Sequence, residues 1–365
     1  MKFASPMKHT AAMLKKSLIL ASVIAAGLGN ISQAAEGGMG DYLLGIAGPQ
    51  AGYLPEPGTY LKYDRFEYDA WIGGSRNLTA NTTQVLGHPG PGGSQLTVTA
   101  NINAQLQSRT SITMAADIFT ALHVFDTELA GGRPALGLII PYVNADLDLA
   151  AAADSTANIT LSNSQGYSRS FVGSGSRYGE AAFSTENMGD AIASGLVGWH
   201  QGSWHYTTGV NVYLPTGEYH ESDPLNAGRN YWAIEPNAAF TYLNMQNGRE
   251  FSAMAGWTFN DENPSTNYDT GDELHLEWAA IQHLSKHAYV GLAGYAYQQT
   301  SGDSGDGAVL GAFKGQALAV GPVVGATLPL GGSRELVLNL RYYDELDTEN
   351  RMQGDAVFMT AAMKL

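Results

Sequence analysis

Apolar and polar residues alternate one by one along most of this chain. In residues 206–214, Thr208, Val210, Val212 and Leu214 share one parity, and Thr207, Gly209, Asn211 and Tyr213 the other. Residues 233–243 repeat the pattern, setting Ile234, Ala238, Phe240 and Tyr242 against Glu235, Asn237 and Thr241. The longest run is 96–125, with Leu96, Val98, Ile102, Leu106, Ile112, Met114, Ile118 and Val124 at even positions and Thr97, Asn101, Gln105, Arg109, Thr113 and Asp117 at odd ones. A period of two places each set on one face of an extended strand, whereas a helix would scatter both sets around its circumference. At about 3.3 Å per residue, 96–125 far exceeds a hydrocarbon core of about 30 Å. It is read as one long strand standing out of the membrane, the alternative being two strands with a turn hidden near 105–110.

Twelve segments carry the pattern: 59–70, 96–125, 135–149, 190–200, 204–214, 233–243, 250–260, 273–284, 288–299, 315–328, 335–343 and 356–365. Tight links at 201–203, 244–249, 285–287 and 330–334 alternate with long ones at 150–189, 215–232, 261–272, 300–314 and 344–355. Short turns on one side, long loops on the other and an even strand count predict an all-β fold, an antiparallel transmembrane β-barrel of about twelve strands. The last strand ends on Leu365 where many such barrels end on an aromatic residue. Residues 35–58 do not fit the period. They are dense in Gly and Pro, and Pro49, Pro55 and Pro57 lack the donors a ladder needs, so this stretch is expected to be a lead-in or plug segment ahead of a barrel over 59–365.

Composition agrees. Charged residues are 15% of the chain against roughly 25% in soluble domains, while Gly numbers 44, Tyr 19 and Trp 6. At the start, Lys15 and Lys16 precede an apolar run from Leu18 to Leu28, and Ser32-Gln33-Ala34 offers small residues to a signal peptidase. Residues 1–34 are therefore read as a cleaved signal peptide for export to the bacterial outer membrane, with Met1 or Met13 as the start. Four lysines and no carboxylate leave with it, taking the net charge from −15 to −19, which disfavours nucleic acid as a partner. With no Cys, disulfide and thiolate chemistry are excluded.

Signals for bound groups are weak, and no cofactor or metal is expected. Leu214-Pro215-Thr216-Gly217 lacks the further glycines, Lys and helix of a phosphate loop. His283 and His287 would converge on a metal from a helix, but on strands they flank a turn, as His200 and His205 do. The acidic long loops read as solvated surface beside lipopolysaccharide and its bridging cations. No nucleophile-elbow spacing marks a hydrolase, so the chain is not read as an enzyme. Function is sought on the inner faces. If lipid takes the apolar parity, the pore-lining candidates are Asn211, Tyr213, Glu235, Asn237, His275, Glu277, Tyr295, Tyr297, Asn339 and Arg341. Such a face would pass a small aromatic compound by stacking and hydrogen bonding, or hold a wet pore, or close a narrow lumen with ion pairs between Arg341 and the carboxylates.

Five stretches carry a family resemblance: 45–57 (GIAGPQAGYLPEP), 209–219 (GVNVYLPTGEY), 226–237 (NAGRNYWAIEPN), 260–274 (NDENPSTNYDTGDEL) and Gly321-Pro322. On these the chain resembles the outer-membrane family labelled for the meta-pathway of phenol degradation. The resemblance implies an exported barrel of a transporter type; with no ATP site or energy-coupling segment recognisable in the sequence, the first reading of its function is a passive channel for small hydrophobic or aromatic compounds. Its surroundings would be outer-membrane lipid and lipopolysaccharide, and its folding would use the barrel-assembly machinery. The alternatives are a structural or adhesive surface barrel and, further off, an outer-membrane hydrolase.

Overall fold

The computed structural model describes residues 35–86, 95–309, 311–331 and 334–365; the signal peptide expected over 1–34 lies outside them. Within these residues run thirteen strands: β1 (Gly58–Leu86), β2 (Leu96–Val124), β3 (Arg133–Asn163), β4 (Ser168–Met188), β5 (Ala191–Gln201), β6 (Trp204–Leu214), β7 (Ala233–Asn244), β8 (Arg249–Asn260), β9 (Glu273–Ser285), β10 (Ala288–Gln299), β11 (Gln316–Gly331), β12 (Arg334–Glu349) and β13 (Gln353–Lys364). The described residues fall into two compact units, one drawn from 35–71, 111–147 and 183–365, the other from 72–110 and 148–182.

The larger unit is a closed ring of twelve strands. β1 pairs antiparallel with β13, Tyr60 opposite Lys364 and Trp71 opposite Gln353, and the sheet continues through β12 to β5 in reverse chain order. β5 then pairs with β3 from Arg133 opposite Gly198 to Ile139 opposite Ile192, and β3–β2 and β2–β1 pairings complete the circuit. Closure leaves the twelve-stranded ring itself without a free edge among the described residues, the condition for spanning a bilayer with strands. Outward-facing Ile234, Trp257, Leu276, Leu292, Val324, Leu340 and Met359 stay exposed on seven strands. An apolar surface this continuous exceeds what a soluble protein leaves in water, so it is the lipid-facing wall.

In the smaller unit, the far halves of β1, β2 and β3 are joined by β4, whose one neighbour among the described strands is β3. Small polar residues bridge its strands: Thr79 donates to Asn103 (3.2 Å), Thr160 and Ser170 share a hydrogen bond (3.0 Å), and a small core gathers Leu106 and Ala153 with Leu78 and Ala104.

Four sequence expectations differ from the structure. The long link expected at 150–189 is the end of β3 and the whole of β4, and the first strand continues past Ala70 to Leu86. Ser, Thr, Asn, Gly and Ala occupy both parities there, so the hydrophobic contrast that reveals a strand is missing. The link at 344–355 shrinks to residues 350–352, because β12 runs on to Glu349 and β13 begins at Gln353. The stretch 96–125 is indeed one strand.

The fourth concerns parity. On β1 and β2 the apolar set faces inward: Phe66, Tyr68, Ile112, Met114, Ala116 and Ile118 are buried, while Arg65 and Glu67 face out. Arg65 Nη1 lies 3.1 Å from Asp117 Oδ2 and Tyr63 donates to Asp117 Oδ1 at 2.5 Å, so these outer charges are mutually neutralised. The inversion gives the ring one apolar inner wall, on β1–β3, opposite an acidic one on β7–β9.

Candidate functional site

Residues 35–57 lie between these two walls as a strap. A backbone without ladder partners must find other acceptors for its N–H groups, and the acidic wall supplies them. Asp41 N–H donates to Glu273 Oε2 (3.3 Å), Gly45 and Ala47 N–H to the two oxygens of Glu277 (2.9 and 3.0 Å), Gln50 N–H to Glu250 Oε1 (2.8 Å) and Gly52 N–H to Thr241 Oγ1 (3.0 Å). The strap thus descends from the long-loop end of the ring to the short-turn end, where Lys364 Nζ donates to the Pro57 carbonyl at 2.7 Å. Its apolar side chains turn to the other wall: Leu54 packs with Val124 and Ala135, and Leu44 is buried. Gly52 passes so close to β7 that a Cβ there would sit 2.5 Å from the Phe240 backbone.

The ten lining candidates all carry inward-facing side chains, and most are engaged. Glu235 accepts from Asn211 Nδ2 (3.0 Å), Tyr213 OH (2.7 Å) and Asn237 Nδ2 (3.3 Å). Tyr295 donates to Glu345 (2.9 Å) and Tyr297 to Glu273 (3.0 Å). His275 stacks on Tyr42 of the strap with ring centres 3.5 Å apart, its Nε2 3.6 Å from Glu235 Oε1. Arg341 lies over the Phe358 ring, donates to Thr360 (3.3 Å) and stands 3.8 Å from Asp64 Oδ1. Asn339 is half-buried, opposite Thr360 on β13 and Gly325 on β11. Sequence reasoning placed Glu277 on a wall and missed what it binds, because a backbone donor leaves no side-chain signature. It also missed Glu250 and Glu273, and it read Asp303 as part of a solvated acidic loop, where the structure buries it.

Between the strap and the apolar wall lies a cavity of about 480 Å³. Ile112, Met114, Ile118 and Val143 form its apolar side, Leu43 and Ile46 its strap side, and Asn211, Tyr213 and Arg229 part of its polar rim. Tyr213, as expected of a lining candidate, and Tyr231 are buried inside, while Trp232, the next residue along the chain, is exposed. At the long-loop end Arg229 donates to the carbonyls of Glu36 (2.9 Å) and Gly40 (3.2 Å). Burial works against the Arg229 charge, but Tyr231, Asp41, Glu273 and Asp190 hold its pKa above the ordinary value. Asp41, which accepts from Tyr231 OH at 3.0 Å, is pushed up to about 6 by burial, with Asp190 and Glu235 adding and Arg229 and Tyr231 opposing.

The chain is similar in fold to an outer-membrane channel from Pseudomonas putida F1, at a TM-score of 0.55 and 12% identity over 87% of this chain and 99% of that one. A FadL homologue from Pseudomonas aeruginosa aligns over 93% of this chain and 97% of its own at 8% identity; its TM-score of 0.35 adds nothing to the assignment. No curated protein matches. The profile of one family matches residues 87–361, three quarters of the sequence, and the chain therefore belongs to the family described as "Putative MetA-pathway of phenol degradation".

Proposed function

We propose that this protein is a passive outer-membrane channel for small hydrophobic or aromatic compounds, in which the strap controls passage. The observation that carries the reading is the 480 Å³ cavity. It has the volume of pockets that hold small organic molecules, and it pairs an apolar wall with a few polar groups able to orient a hydroxyl. Membership of a family named for phenol degradation supports an aromatic solute, and the fold shared with an outer-membrane channel supports a conduit. No energy-coupling segment is evident in the sequence, so flux would run down a gradient. The long-loop end would face outward among lipopolysaccharide and the short-turn end the periplasm. Solute would leave the cavity when the strap's hydrogen bonds to Glu277 and Glu250 open, the ten inner-face residues then lining the path.

The cavity is tested by filling it. Ala116→Trp projects an indole into the space beside Met114, and folding is checked by the heat-dependent gel mobility of barrels. The reading expects the purified protein to bind a neutral phenol-sized probe and the folded variant to lose that binding. Equal binding in both would remove the cavity from the transport path.

A further inference from the structure

We propose that the chain is processed between Ala34 and Ala35, and that the α-ammonium released on Ala35 forms a buried ion pair with Asp303. The proposal does not depend on what the barrel carries. Ala35 and Asp303 are each 2% exposed, and the Ala35 nitrogen lies 3.1 Å from Asp303 Oδ2. Asp303 already accepts from Tyr268 OH (2.7 Å), Gly271 N–H (3.1 Å) and Gln299 Nε2. All of these donors are neutral, and among the described residues no cationic side chain reaches ion-pair distance of it. A carboxylate held out of water by neutral donors alone keeps an uncompensated charge. An ammonium at the Ala35 nitrogen supplies the missing counter-charge on an atom already in place.

The backbone points the same way. Ala35 has φ 65° and ψ 149°, a region that a residue with a Cβ rarely adopts. That φ torsion exists only while residue 34 is attached, so cutting the bond abolishes the strained torsion. Ser32 and Ala34 are the small residues that a signal peptidase reads before its cut. The next residue is also received by prepared partners: Glu36 N–H donates to Thr270 Oγ1 (3.2 Å), and the Glu36 carboxylate accepts from Asn263 (2.8 Å) and Thr266 (2.8 Å). In the cleavage itself, water adds its hydroxyl to the Ala34 carbonyl as the C–N bond breaks and its hydrogen to the departing nitrogen. The new carboxylic acid ionises and the amine takes up a proton, leaving an ammonium in reach of Asp303.

The experiment uses the full chain, exported and purified from the outer membrane. N-terminal sequencing and intact mass are expected to show a chain starting Ala-Glu-Gly-Gly-Met. The pH profile of α-amine acylation then reads the ion pair. An ordinary α-amine titrates at about 7.7–8.0, and a rise of one unit lowers the free amine about tenfold at neutral pH. The native protein is expected to be acylated at least about tenfold more slowly than Asp303→Asn, with its profile displaced upward by at least about one unit. If Asp303→Asn does not fold, a variant with one extra Ala between residues 34 and 35 decides, because it carries the ammonium about 3.8 Å beyond Asp303. A mature chain starting elsewhere would overturn the proposal, as would an unshifted profile in the native protein.

Discussion

The Arg341 guanidinium lies against the bare Cα of Gly48, where any Cβ would overlap it. Gly48 also sits at φ +64°, in the left-handed region. Arg341 cannot simply swing away, since Thr360, Phe358 and Asp64 hold it on the other side. Gly48→Ala is therefore expected to weaken strap docking by about 2 kcal/mol, combining the left-handed penalty with the overlap. Limited proteolysis of the strap and a thermal melt read the effect. Wild-type protection in the variant would mean that the strap does not rest on Arg341.

Glu277 holds two strap N–H groups with two carboxylate oxygens, an arrangement that an amide cannot reproduce. Glu277→Gln leaves one of them without an acceptor, a loss of roughly 1.5–3 kcal/mol for a hydrogen bond to a charged group. The expected outcome is a lower melting temperature with leak of small solutes raised several-fold. A variant that melts lower but leaks no more would separate the strap's stability from its control of passage.

Asp41 makes docking pH-dependent, and the sign is fixed by its raised value. A carboxyl that titrates near 6 in the folded protein against 3.8 when free binds its proton more readily in the native state. The stability that Asp41 contributes therefore falls as pH rises from about 3.8 to about 6 and is constant above that. Strap protection followed from pH 4 to pH 6 should decline, and Asp41→Asn should make that decline shallower. An increase in protection with pH would contradict the assignment.

The barrel was legible in the sequence wherever lipid faced one side. Ile234 against Glu235 and Leu276 against Glu277 announce both strand and parity, because one face meets hydrocarbon and the other meets polar partners. On β2 the same reasoning gives the strand but the wrong direction. Met114 and Ile118 are as apolar as Leu276, yet they face inward toward the cavity beside Leu44 and Ile46 of the strap. Periodicity reports that two faces differ; the partner on each face has to come from elsewhere in the chain. β4 was invisible because Ser174, Gly175 and Ser176 give neither face a preference. The strap was recognisable as a non-strand from Pro49, Pro55 and Pro57, but its seat was not, since its anchors are backbone N–H groups that every residue but proline carries.

A gated path for small neutral compounds running past the strap would show itself as flux through proteoliposomes. Uptake of a labelled neutral phenol would be compared between the native protein and a variant lacking residues 36–57, each verified as folded. Uptake is expected to be slow and saturable with the native protein, and faster and less selective once the strap is gone. No permeability in either protein would contradict it.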